Sequence, residues 1–270
     1  MTDLTDIERR SLLLLGCGKM GGAMLEGWLS HGVPARAVTV LDPFPAEWIA
    51  ARGVNVNTAV PDAPAVLLIA VKPQMMDAAL PKLPKLGTQT LIISVAAGTP
   101  IARFEQTFGA DTPIIRAMPN TPAAIARGIT AIIGNDASTA AHLDLAETLL
   151  SAVGTVVRLE TEDQMDAVTA VSGSGPAYVF HLIETLSAAG EAEGLPRDLA
   201  VQLATATVAG AGALADEAPE DASQLRINVT SPKGTTEAAL GVLMDEQAGF
   251  PGLLRRAVKA AADRSRELRK

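Results

Sequence analysis

The feature that most constrains this chain is Ser11-Leu12-Leu13-Leu14-Leu15 running straight into Gly16-Cys17-Gly18-Lys19-Met20-Gly21-Gly22. Four successive leucines predict a strand buried on both faces, as in a parallel sheet. Gly16-x-Gly18-x-x-Gly21 follows at once. Ala23 to Leu29 then continues with helical spacing until Ser30-His31-Gly32, where Gly32 suits a C-terminal cap. Strand, glycine turn and helix in that order are the setting in which this spacing binds a dinucleotide. Gly16 permits the tight turn, Gly18 lets the backbone approach a pyrophosphate, and Gly21 lets the helix pack close to the strand. The phosphates then meet free N–H groups at the positive end of the helix. A strand–turn–helix with no ligand uses the same glycines, and both readings stand at this level.

Further strands are predicted at Ala37–Leu41, Val66–Ala70, Thr90–Val95, Thr112–Arg116, Ile129–Ile133 and Thr155–Leu159, with a helix over 138–152. This β–α alternation predicts an α/β fold with a Rossmann-like, doubly wound, mostly parallel sheet. In such a sheet the loops past the strand C-termini line the ligand crevice. Those loops here are Val71-Lys72-Pro73-Gln74, Ala96-Ala97-Gly98 and Ala117-Met118-Pro119-Asn120-Thr121-Pro122. Lys72 is placed to meet a phosphate or ribose. Asp42 closes the second strand about twenty residues past the glycines, where a carboxylate accepts from the adenosine ribose hydroxyls. A carboxylate there repels a 2′-phosphate, and Pro43-Phe44-Pro45 brings no arginine, so the local chemistry leans toward NADH over NADPH. An Asp-Pro turn with no ligand role is the other reading.

From 160–163 onward the composition changes and no strand is predicted, which divides 270 residues into a domain over 1–161 and an all-α domain over 162–270. Helices are expected over 164–171, 177–193, 197–217, 237–247 and 253–268, with a hydroxyl-bearing, flexible break at Ser172-Gly173-Ser174-Gly175-Pro176 and a turn at 249–252. Apolar residues make up 48% of the chain but aromatic ones only 3%, so alanine and glycine carry much of the packing and allow close helix contacts. The alanine-rich helices suit a dimerisation surface. The run from Leu199 to Ala215 contains Gln202 and several threonines and glycines, and is expected to be a buried helix rather than a membrane span. The net charge of −8 disfavours a broad nucleic-acid surface. Cys17 is the single cysteine, which fits a reducing cytoplasm, and the polar start of the chain lacks the apolar core of a signal peptide.

Ser231-Pro232-Lys233-Gly234-Thr235-Thr236 is the second chemical feature. It is a glycine turn at a helix N-terminus, where the N–H groups of Gly234, Thr235 and Thr236, with Lys233 nearby, suit a carboxylate. The plainer reading makes Thr235 or Thr236 an N-cap, with Glu237 stabilising the first turn. His31, His142 and His181 fall in no catalytic or metal motif, and no Cys/His metal spacing or Gly-x-Ser-x-Gly elbow is present. A reductase without an evident general acid suits an acceptor that is already activated, such as a protonated imine.

These blocks together resemble the pyrroline-5-carboxylate reductase family. The resemblance rests on Gly16-Cys17-Gly18-Lys19-Met20-Gly21, Ala70-Val71-Lys72-Pro73-Gln74, Ser94-Val95-Ala96-Ala97-Gly98, Arg116 to Pro122, Val171 to Tyr178, and above all Val229 to Leu240. It implies a Rossmann domain followed by a helical dimerisation domain, and homodimers that assemble into a decamer of five dimers. It implies reduction of (S)-1-pyrroline-5-carboxylate to L-proline, the last step of proline biosynthesis, by NADPH or NADH, commonly NADPH. No nucleic-acid or membrane partner is implied.

By resemblance the cofactor lies along Gly16, Gly18, Lys19, Met20 and Gly21, and along Ala70, Val71, Lys72, Pro73 and Ala97. Asn57 matches a cofactor-contacting asparagine. The substrate carboxylate lies on Ser231, Gly234, Thr235 and Thr236. Thr236 matches the threonine that hydrogen-bonds the ring nitrogen, and Glu220 matches an acid in the loop before the signature. Two positions depart from the family. Lys233 stands where glycine is usual, and Ile227 stands where an acid usually precedes Asn228. The competing readings are a reductase of a related cyclic imino acid, a β-hydroxyacid dehydrogenase, and a non-catalytic nucleotide-binding homologue. The dehydrogenase usually carries a lysine on the helix after its Gly-Gly turn, and the break at 172–176 has none.

Overall fold

The computed structural model describes residues 4–269. Eight strands form one sheet: β1 (Leu12–Leu15), β2 (Val38–Leu41), β3 (Asn55–Val56), β4 (Val66–Ile69), β5 (Leu91–Ser94), β6 (Ile114–Met118), β7 (Gly128–Gly134) and β8 (Gly154–Arg158). Their order is β3-β2-β1-β4-β5-β6-β7-β8. Every neighbouring pair is parallel except β6 and β7. The chain winds outward from β1 to β3 on one side, then restarts at β4 on the other. This reversal opens a crevice between the C-terminal ends of β1 and β4. The expected doubly wound, mostly parallel sheet is therefore present. Its extra strand is β3, a two-residue pairing too short to leave a hydrophobic pattern in the sequence.

Helices accompany the sheet: α1 (Thr5–Arg10), α2 (Lys19–Ser30), α3 (Glu47–Ala51), α4 (Met76–Ala79), α5 (Ile101–Phe108) and α6 (Ala140–Leu150). The strands read as unbroken apolar runs because alternate residues feed opposite layers. Leu12 and Leu14 pack with Met24, Leu25 and Trp28 of α2 on one face. Leu13 and Leu15 join Met76, Leu80, Ile101 and Phe104 on the other. Trp28 is buried, and its indole N–H donates to the Leu149 carbonyl at 2.8 Å, so the one polar atom of the ring is paired. Gly32, at φ +90°, ends α2 as expected: its N–H donates to Leu29 O and that of Val33 to Trp28 O, a Schellman closure.

The remaining helices are α7 (Gln164–Val168), α8 (Gly175–Ala192), α9 (Arg197–Glu217), α10 (Ala222–Asn228), α11 (Thr235–Leu243) and α12 (Phe250–Leu268). The chain divides into two compact units. One runs to Gly173 and takes back the residues from Ala262 onward; the other spans Ser174–Ala261.

Several expectations are corrected here. The break at Ser172–Pro176 is not a flexible loop, because Thr169–Gly173 forms a π-helical turn and Gly175 already begins α8. Its hydroxyls are tied back, Thr169 to Met165 O at 2.7 Å and Ser172 to Val168 O at 3.0 Å. The turn expected at 249–252 is the start of α12, and α11 ends at Leu243 rather than Gln247. The helix expected to be buried, α9, is long and apolar enough to cross a membrane, yet within the chain only Ala200 and Ala204 are buried.

The last turns of α12 are anchored to α7 by a buried carboxylate. Asp166 is fully enclosed. Its Oδ1 accepts from Ser265 Oγ at 2.7 Å and Arg269 Nε at 3.0 Å, and Arg269 Nη2 pairs with the other oxygen. A buried charge is tolerated only when paired in this way. We expect Asp166→Ala to lower unfolding free energy by about 2 kcal/mol, since Ser265 and Arg269 lose their shared acceptor while the partly exposed Arg269 keeps Asp163, and Ser265→Ala by about 1 kcal/mol. Urea denaturation followed by circular dichroism measures both, and equal effects would contradict this account. Gly27 faces the Ala152 carbonyl, 2.8 Å from where a Cβ would sit. Gly27→Ala is expected to cost about 2 kcal/mol by overpacking, and an unchanged denaturation midpoint would contradict that contact.

Candidate active site

The first candidate turn joins β1 to α2. Gly16 adopts φ +90°, and a Cβ there would lie 2.8 Å from Val71 Cγ1 and 3.0 Å from the Ala70 backbone. A Cβ on Gly21 would lie 2.3 Å from Gly16 O and 3.3 Å from Ala70 Cβ. No larger residue fits at Gly21 without moving backbone, so these glycines set how closely α2 approaches β1 and the end of β4. Gly18 is different: nothing lies within 4 Å of its Cβ position. Its lack of a side chain answers no contact inside the chain and leaves the face of the turn open. The first bond inside α2 runs from Gly22 N–H to Gly18 O, so the N–H groups of Lys19, Met20 and Gly21 find no acceptor within the helix. An open turn, aligned N–H groups and a helix dipole fit a pyrophosphate.

Asp42, directly after β2, is wired into this turn. Its Oδ2 accepts the Cys17 N–H at 2.6 Å and its Oδ1 accepts the Phe44 N–H at 2.8 Å. Asn57 clamps its backbone from both sides, accepting the Asp42 N–H at 3.0 Å and donating to the Asp42 carbonyl at 2.8 Å. Asn57 has φ +51°, a left-handed conformation that asparagine tolerates well. The structure thus brings together Gly16, Gly18, Gly21, Asp42, Asn57, Ala70 and Val71. The role of the Cys17 N–H as the partner of Asp42 left no mark in the sequence, because any residue at that position offers the same N–H. The Cys17 thiol is pushed up to about 11 by burial, with the charges of Asp42 and Glu26 adding to it. It is held as a thiol and is a poor nucleophile at neutral pH.

Lys72, exposed, begins a 3₁₀ turn at Pro73–Met75 on the same edge of the sheet, and Ala97 is exposed beyond β5. That edge is stiffened by a buried ion pair. Arg116 on β6, almost fully buried, donates to Glu162 Oε1 at 2.6 Å, and the same oxygen caps α5 through the Ile101 N–H at 3.0 Å. The π turn reaches this edge too: a Cβ on Gly173 would lie 2.7 Å from Met118 Cε at the end of β6. Among the described residues no group of three or more metal-ligating side chains occurs. His142 serves in the capping box of α6 with Thr139.

A second candidate turn lies in the other unit. Gly234 is the N-cap of α11, without a side-chain cap, so neither Thr235 nor Thr236 plays that part. The Gly234 N–H, expected to be free, donates to Ser231 O at 3.0 Å, and the Lys233 N–H donates to Glu237 Oε2 at 2.6 Å. The first bond inside α11 is Ala238 N–H to Gly234 O. The N–H groups left at the helix start are therefore those of Thr235, Thr236 and Glu237, one residue further along than expected. Thr236 is half-buried. Lys233 holds φ +59°, a conformation that glycine adopts at no cost. Glu220 is exposed in the loop before α10, and no hydrogen bond or ion pair joins it to residues 231–236; its neighbour Asp221 caps α10 through the Gln224 N–H at 2.8 Å.

Two family profiles cover the chain in succession. Residues 11–98 match "NADP oxidoreductase coenzyme F420-dependent", and residues 162–268 match "Pyrroline-5-carboxylate reductase dimerisation". The pyrroline-5-carboxylate reductase of Pseudomonas aeruginosa is 41% identical over 265 residues, covering 95% of this chain and 96% of that protein. The solved pyrroline-5-carboxylate reductase of Coxiella burnetii superposes with a TM-score of 0.87 at 32% identity, covering 97% of this chain and 99% of that one. The Plasmodium falciparum pyrroline carboxylate reductase, solved with NADP bound, superposes with a TM-score of 0.81 at 26% identity over the same shares. A glycine turn fit for a pyrophosphate, a hydroxyl-bearing turn at the start of α11, and similarity that runs nearly end to end lead to one conclusion: the chain belongs to the pyrroline-5-carboxylate reductase family.

Proposed function

We infer that this protein reduces 1-pyrroline-5-carboxylate to L-proline with NADH or NADPH, the closing step of proline biosynthesis. Near end-to-end similarity to curated reductases carries the reading. The two turns supply its chemistry. Residues 1–161 act as the dinucleotide domain and residues 162–270 as the substrate and dimerisation domain. When bound, the cofactor supplies a hydride from its nicotinamide ring.

The chain's own residues position and polarise. The free N–H groups at the start of α2, with Lys19 and Met20, hold the pyrophosphate. Ala70, Val71, Lys72, Pro73 and Ala97 form the edge along which the rest of the cofactor lies. The N–H groups at the start of α11, with the hydroxyls of Ser231 and Thr235, hold the substrate carboxylate against the helix dipole. The protonated imine nitrogen would donate to the Thr236 hydroxyl, which would fix the ring as hydride acceptor, its nitrogen taking up the C=N π pair and losing its charge. No acid need deliver a proton before the transfer, which agrees with the lack of a histidine motif in the sequence. Glu220 is assigned to the substrate side on resemblance alone. The exposed apolar side chains of α8 and α9, among them Phe180, Leu182, Leu199 and Leu203, are covered by a second copy of the chain. Five such dimers form the decamer, in the cytoplasm.

Oxidation of NADH or NADPH on addition of pyrroline-5-carboxylate, followed at 340 nm, tests the activity. Dinucleotide binding without turnover would instead identify a non-catalytic homologue. Thr236→Ala is expected to lower kcat by about tenfold to a hundredfold, the worth of one hydrogen bond to a charged group. Its dinucleotide Kd should not change, and Thr236→Ser should restore most of the rate. An unchanged kcat would remove Thr236 from the mechanism. Lys233→Gly suits the left-handed turn, so the protein should melt no lower. Loss of the ammonium should raise KM for the substrate by about threefold, with kcat unchanged. An unchanged KM would show that Lys233 contributes nothing to carboxylate affinity.

A further inference from the structure

The loop that leaves β5, Val95 to Pro100, is held at both ends by polar bonds that neither turn of the site explains. At its start the buried Ser94 Oγ accepts the Ala96 N–H at 3.3 Å. At its end the Ile101 N–H donates to Glu162 Oε1 at 3.0 Å. The N-cap of α5 is Pro100, whose side chain offers no acceptor, so the helix start takes its partner from a residue 61 positions further along the chain. Glu162 is itself held in place. The same Oε1 accepts from Arg116 Nη1 at 2.6 Å, and Arg116 on β6 is the register partner of Ser94 on β5. One carboxylate oxygen thus joins a strand end to a helix start.

The middle of the loop is braced too. Gly98 has φ +72°, and a Cβ on it would lie 3.7 Å from Leu268 Cβ, so the last turn of α12 is its neighbour. That turn is the one Asp166 holds through Ser265 and Arg269. Glu162 and Asp166 belong to one short segment, which therefore supports the loop at its end and, through α12, at its middle. All of these residues lie in the sheet unit. Ala97, exposed between the supports, is the residue assigned to the cofactor edge.

A buried ion pair contributes little net stability once its desolvation is counted. Its effect on position is larger, because hydride transfer slows steeply when donor and acceptor carbons are misplaced. We propose that Glu162, held by Arg116, is a positioning residue for hydride transfer: it fixes the loop from Val95 to Pro100, so that Ala97 sets where the nicotinamide ring lies. The proposal rests on the reductase reading. It requires neither Glu162 nor Arg116 to touch cofactor or substrate.

Hydrogen exchange of the unliganded enzyme reads the loop directly. Glu162→Ala should speed exchange of the amides over 95–101. Glu162→Gln, whose amide oxygen can accept both bonds, should leave it slow. In turnover with pyrroline-5-carboxylate, Glu162→Ala should lower kcat by about tenfold to a hundredfold, with the calorimetric Kd for NADH or NADPH changed by no more than about threefold. Glu162→Gln should recover most of the rate. With cofactor deuterated at the nicotinamide C4, the isotope effect on kcat should rise in Glu162→Ala, since a slower hydride step governs more of the turnover. A smaller folded population would lower kcat without moving that isotope effect. If Glu162→Ala does not fold, Glu162→Asp, one methylene too short to meet both donors, takes its place with the same expectations. Unchanged exchange, or a kcat within about twofold of wild type, overturns the proposal and leaves the reductase reading intact. A lower kcat with an unmoved isotope effect overturns it as well. A wild type that binds dinucleotide without turnover sinks the reductase reading and the proposal with it.

Discussion

The contact between Gly21 and Gly16 is the constraint on which the nucleotide half of the molecule depends. A helix can begin within hydrogen-bonding distance of a strand's end only if neither residue at the crossing carries a side chain. A Cβ on Gly21 would fall 2.3 Å from the Gly16 carbonyl oxygen, far inside van der Waals contact. That closeness sets the first turn of α2 at the edge of the sheet, with its N–H groups directed past the strand ends. It also places the Cys17 N–H within reach of the Asp42 carboxylate. One steric condition thus fixes both the open glycine turn and the position of the Asp42 carboxylate beside it. The burial of Leu12–Leu15 on both faces holds the strand that presents them.

The second unit is built on the opposite principle. Its longest helices, α8 and α9, pack on each other but leave Val179, Phe180, Leu186, Leu199, Val201 and Leu203 exposed. A monomer rarely leaves so much apolar surface in water, and the matching family profile is described as a dimerisation region. The alanine and glycine content of α9 belongs with this. Small side chains let helix backbones approach closely, and they keep the exposed surface modest until a partner covers it. The chain therefore completes its hydrophobic core within the sheet unit and leaves the apolar faces of α8 and α9 to be covered by association.

Much of this was legible in the sequence, and what was missed has identifiable causes. Unbroken runs such as Leu12–Leu15 and Val66–Ile69 mark strands because burial on both faces leaves no alternation to confuse the reading. Gly32 and Gly194 mark helix ends because each supplies the left-handed residue of a Schellman closure. The two-residue β3 carries no pattern at all. The π turn at Thr169–Gly173 was hidden by composition: Ser-Gly-Ser-Gly-Pro reads as a break, yet side-chain hydroxyls bonded to the preceding carbonyls keep it wound. At α11, which begins at Thr235 rather than at 237, the open N–H groups lie one residue later than expected, because the Gly234 N–H turns back to the Ser231 carbonyl.

The bond from the Lys233 N–H to Glu237 fixes the turn in which Lys233 takes a left-handed conformation. A left-handed residue with a Cβ costs about 1 kcal/mol or more relative to glycine. At Lys233 the backbone N–H is taken by a carboxylate at 2.6 Å, and a hydrogen bond to a charged acceptor is worth about that much or more. The same bond would form with glycine at 233, so it holds the geometry of the turn without offsetting the extra cost of a Cβ there. Its second effect is electrostatic. By engaging the Lys233 N–H, the Glu237 carboxylate is drawn to one side of the helix start, and its charge is partly met by the N–H dipoles there. An anion approaching the N–H groups of Thr235 and Thr236 then meets the Lys233 ammonium and a partly neutralised glutamate, in place of a bare acid. What lysine at 233 adds that glycine would not is its side-chain charge at the start of α11, and that charge is set against the cost of its left-handed backbone.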